Sequence, residues 1–135
     1  MPIPVEDVPD DAILIRRFPD RREYYTFGRP SGVVFMRRPD EIDPMCSVYA
    51  RSIMRHDLEW CAKNIREPML PFGVEARVPR EGCDGDCADV VHAPTKRSPS
   101  HTHVIGLTQA LCDHLAENGE VIDDLPECLP RDRAA

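Results

Sequence analysis

Apolar positions along this chain come in short runs, few long enough for more than a strand or a three-turn helix. "AILIRRF" (12–18) is an apolar run closed by arginines and predicts a strand. "REYYTF" (22–27) predicts a second strand, with Gly28 and "RPSG" (29–32) as the turn, and the β-branched "VVFMR" (33–37) a third. "MCSVYARSIM" (45–54) fits either strand or helix. Asp57 is placed to cap a helix over "LEWCAKNIR" (58–66), where Leu58, Cys61 and Ile65 share a face and Pro68 and Pro71 would stop the element. "GVEARV" (73–78) alternates Val74, Ala76 and Val78 with Glu75 and Arg77, the period of a half-buried strand. "DVV" (89–91) and "HVIGL" (103–107) are short β-like runs around the polar "HAPTKRSPS". "TQALCDHLAEN" (108–118) carries the clearest helix signal: Thr108 as cap, Leu111 and Leu115 four apart, Gly119 at the end. "EVIDDL" reads as a last strand.

These elements sum to an α+β class: a single small domain over 13–125, a mostly antiparallel sheet with about two helices. An extended arm over 1–12 precedes it and a tail over 126–135 follows. The expected core is Ile13, Ile15, Val34, Ile53, Trp60, Ile65, Val78, Leu111 and Leu115. A chain of 135 residues, 41% hydrophobic and 30% charged, is large enough to bury such a core. Its 14 prolines favour short elements over a helical bundle.

Charge changes the picture of partners. A net charge of −7 disfavours a general nucleic-acid binder and suits a soluble protein, or one that docks on a basic partner. No basic segment followed by a long apolar stretch opens the chain, and no apolar run reaches membrane-spanning length. A cytoplasmic protein with no membrane association is the expectation, its six cysteines mostly thiols, with a disulfide framework second.

Two stretches carry candidate chemistry. In residues 81–106, Cys83, Cys87 and His92 form a C-x3-C-x4-H series to which His101 or His103 would add a fourth zinc corner. The same stretch reads first as a polar connection with incidental thiols and no cofactor. A Cys83–Cys87 disulfide or redox pair is the other alternative, and the acids there lack the pattern of a calcium loop. Residues 16–38 hold seven arginines and five of the chain's eight aromatics. Arg16, Arg17, Tyr24, Tyr25, Arg29, Arg37 and Arg38 would there present a docking face for a protein partner, or for a nucleotide or single-stranded nucleic acid. The plainer reading is a hairpin with aromatics inward and arginines paired to acids.

"RPSGVVF" (29–35) and "PSHTHVIG" (99–106) are similar to an Arg-Pro-Ser-x-x-x-Phe and a Pro-x-His-x-x-Val-x-Gly pattern of small uncharacterised bacterial proteins. The resemblance brings no activity with it. It picks out Arg29, Ser31 and His101 as residues able to bind a phosphate-bearing ligand, His101 donating a hydrogen bond or acting as an acid. The leading expectation is a binding or accessory module within a larger complex, without catalysis of its own. A small enzyme or binder acting through Arg29, Ser31 and His101 is the alternative, and a zinc-stabilised module the third.

Overall fold

The computed structural model describes residues 4–36, 45–53, 69–96 and 98–122. The helix expected over 58–66, with Trp60 and Ile65, lies outside them, as do Arg37, Arg38, the tail, and the side chain of Ile53.

The centre of the molecule is strand β1 (Ile13–Pro19), in which every residue after Ile13 is buried. A strand covered on both faces needs no polar alternation, which is why "ILIRRF" reads as one apolar run rather than a period of two. β1 pairs antiparallel with β4 (Met45–Ala50) on one side and β5 (Met69–Glu75) on the other. β6 (Asp89–His92), β7 (His101–Ile105) and β8 (Glu120–Val121) complete a six-stranded sheet in the order β6-β7-β4-β1-β5-β8. β2 (Tyr25–Thr26) and β3 (Arg29–Pro30) form a separate two-stranded hairpin. Helices α1 (Arg77–Glu81) and α2 (Gln109–Glu117) make this a small α+β domain with a mostly antiparallel sheet.

Register assigns the two faces. Leu14 lies opposite Ala50 and Val74, Arg16 opposite Phe72, and Cys46 opposite Val104. With Phe18 and Val48, these residues make the first face and hold the main core. α2 closes this face with Leu111, Cys112 and Leu115, its first turn capped by the Thr108 hydroxyl, which accepts from Leu111 N at 3.1 Å. Ile15, Arg17, Tyr49, His101 and His103 belong to the second face. Of the expected core, Ile15, Val34, Leu111 and Leu115 are fully buried, while Ile13 and Val78 are half-buried.

Three segments depart from the expected elements. Residues 33–37 were expected as a strand, but Gly32–Phe35 is a 3-10 helix. The Ser31 hydroxyl accepts from Val33 N, and the buried Arg16 guanidinium takes the carbonyls of Val34 and Met36 at the far end. Both ends of the turn are thus hydrogen-bonded, which outweighs the β preference of two valines. Residues 22–27 divide into a 3-10 turn over Arg22–Tyr24 and the short β2. Residues 73–78 divide into the end of β5 and the start of α1, where Pro79 sits in the first turn and Gly82, at φ 72°, ends the helix. Pro71, expected as a terminator, lies inside β5. Its carbonyl accepts from Ile122 N, so its missing N–H faces the short β8 edge and costs β1 no hydrogen bond.

The N-terminal arm is docked. Val8 and Ala12 are buried, Asp10 O accepts from Arg77 N, and the Asp10 carboxylate meets Arg80 at 2.8 Å.

Candidate functional site

Both sheet-borne arginines expected on a docking face are buried, Arg16 at 1% exposure and Arg17 at 5%. Arg16 points into the first face, where its Nε donates to Val34 O at 2.8 Å and its two terminal nitrogens donate to Ser47 O and Met36 O. It fixes the 3-10 helix beneath β1. Arg17 points the other way, donating to the Tyr49 hydroxyl at 2.7 Å with its guanidinium carbon 5.0 Å from the ring centroid. Tyr24 and Tyr25 pack on Phe18, with centroids 5.9 and 6.0 Å away. Of the expected docking residues that the structure describes, only Arg29 is exposed. A central strand has no solvent face, so both side chains turn inward to partners within the fold.

Arg29, Ser31 and His101 do not converge. Ser31 caps the 3-10 helix on the first-face side, and the next residue, Gly32, is so close to α2 that a Cβ there would collide with Asp113. His101 lies opposite Tyr49 on the second face, so the sheet separates it from Ser31. There it belongs to a polar row across β1, β4 and β7. The Tyr49 and His101 centroids are 6.1 Å apart, and those of His101 and His103 are 4.8 Å apart. His101 Nδ1 donates to Ala93 O at 3.0 Å, since a carbonyl can only accept. Tyr49 was not singled out in the sequence, because only register puts it beside His101.

The zinc set does not assemble either. His92 is buried on the first face; its Nδ1 accepts from Glu6 N at 2.8 Å, and its Nε2 donates to Pro99 O at 2.6 Å. Both nitrogens are committed. His103, opposite Val91, is on the other face. Cys83 pairs with Asp86 across a two-residue turn, Cys87 follows one position on, and both are free thiols. No group of three or more metal-ligating side chains occurs among the described residues. Desolvation, with Asp84 and Asp86 nearby, raises the Cys83 thiol pKa, and burial pushes that of Cys112 up to about 12. Neither thiol has the electropositive setting of a nucleophile.

What the structure brings out instead is the tip of the β2–β3 hairpin. Phe27 and Gly28 both have positive φ, 52° and 76°, as a two-residue type I′ turn requires. The turn at Asp84 and Gly85 has the same signs, φ 51° and 85°, with the Asp-Gly pair that favours such a turn. At the hairpin tip a phenylalanine holds the left-handed position, 101% exposed. A bulky side chain there is strained, and its ring lies wholly in water. Beside it runs an open groove of about 590 Å³, bounded by the hairpin on one wall and by Asp113, Ala116 and Glu117 of α2 on the other. Arg29 lines the hairpin wall. The Tyr25 hydroxyl donates to Asp20 at 2.6 Å, bracing the hairpin's base. That hydrogen bond, with some burial, lifts the phenol pKa to about 12.

Among the described residues no helix is long and apolar enough to cross a membrane. In comparisons with known proteins the chain matches no family model, no curated protein and no solved structure.

Proposed function

We propose that this protein is a cytoplasmic docking module, an accessory subunit that holds a partner protein through the tip of its β2–β3 hairpin. Phe27 carries the reading: it is fully exposed on a backbone conformation that a smaller residue would adopt at lower cost. An aromatic ring held out on a braced turn is the form an interface anchor takes, since such rings bury much area for little side-chain entropy. The arginine-rich segment contributes to docking through Arg29 at the surface, while Arg16 and Arg17 support it from within.

The test is affinity purification from the cells of origin with wild-type and Phe27→Asn protein as baits, quantified by mass spectrometry. Asparagine accepts the left-handed conformation, so the variant should fold at least as well as the wild type. Partners retained by the wild type and lost from a stably folded variant are the expected result. An unchanged partner set would sink the docking reading.

A further inference from the structure

The groove beside Phe27 narrows the chemistry of what docks, and this step rests on the docking reading above. Asp113 and Glu117 stand four apart on one face of α2, both exposed. Like charges at that spacing destabilise a helix, yet among the described residues neither carboxylate forms an ion pair. Arg29 lines the same groove and also makes none, so the two walls hold opposite charge across open space. Phe27 lines this groove and is fully exposed, and an aromatic face attracts a cation that approaches it. The chain's net charge of −7 adds a long-range field drawing in a basic partner.

We infer that the groove takes an extended peptide segment of the partner, seating a lysine or arginine side chain between the Phe27 ring and the Asp113–Glu117 pair. An extended segment sends successive side chains to opposite sides. When its basic side chain faces α2, the neighbouring residue faces Arg29, which suits an acidic side chain or a main-chain carbonyl. A groove of about 590 Å³ is within the size range of ligand sites and is open to solvent.

The experiment pans a phage-displayed library of random peptides against three full-length proteins: wild type, the double variant Asp113→Asn/Glu117→Gln, and Phe27→Asn. Thermal melts confirm that each is folded. The wild type should enrich sequences with lysine or arginine at one fixed position. A synthetic peptide of that sequence should bind the double variant about tenfold or more weakly, and should lose a similar factor when its basic residue becomes methionine. Enriched peptides without a basic residue, or with equal affinity for the double variant, would overturn this inference. If they still depended on Phe27, the docking reading would stand alone. Enrichment indifferent to Phe27→Asn, or no enrichment on the wild type, would overturn both.

Discussion

Arg16 shows how far one side chain's role depends on its neighbours in space. In the sequence it is the first of seven arginines in a basic segment; in the fold it spends its guanidinium on the carbonyls of Val34, Met36 and Ser47. Arg16→Met keeps the apolar stem and strands those acceptors, at about 1–3 kcal/mol for each buried group left unpaired. Urea denaturation should therefore show a loss of about 3 kcal/mol or more, whereas Arg29→Met, at an exposed position, should shift stability by less than about 0.5 kcal/mol. Tyr25 offers a spectroscopic check on the hairpin base. Its phenol, raised to about 12 by Asp20, is neutral in the fold at pH values where an unfolded tyrosine, near 10, has begun to ionise. A raised folded pKa gives stability that is complete below about pH 10 and lost as pH rises toward about 12. Absorbance titration should show a late-ionising tyrosine component that Asp20→Asn returns toward the ordinary value.

Two turns of the same handedness, at 27–28 and 84–85, let stability and function be separated at the level of the element. Phe27→Asn relieves a strained backbone and removes a solvated ring, and should raise stability by about 0.5–1 kcal/mol while abolishing docking. The mirror substitution Asp84→Phe puts a bulky residue into the same conformation and should cost about 1 kcal/mol. Paired melts read both signs. The strands β1, β6 and β7 and the capped helix α2 were legible from their apolar runs and cap, although in β6 it is Val91 that is exposed and His92 that is buried. Residues 33–37 and 73–78 were not. There local capping by Ser31, a guanidinium from β1, and a helix start admitting Pro79 overrode a correct reading of β propensity.

At the scale of the whole molecule, His92 ties the N-terminal arm, β6 and the loop before β7 together through one ring. His92→Phe keeps the ring's bulk and leaves Glu6 N and Pro99 O without their partner. It should lower stability by about 2 kcal/mol or more, by the same amount before and after treatment with a chelator, and should speed amide exchange at Glu6. A loss abolished by prior chelation would instead restore a metal role to His92. By itself the sequence determined the α+β class, the capped α2, and the burial of Ile15, Val34, Leu111 and Leu115, because side-chain period and capping chemistry are local properties. Only the tertiary structure decided that Arg16 and Arg17 are interior, that His92 and His103 face apart, and that Phe27 is the residue left in water. Those outcomes depend on which strand is central, on register, and on which turn carries the left-handed residue. The first two are fixed by pairing between segments distant in sequence, which no local pattern encodes. The third is set by the register of a hairpin pairing Thr26 with Arg29 around a Phe-Gly pair that carries no Asn-Gly or Asp-Gly turn signal.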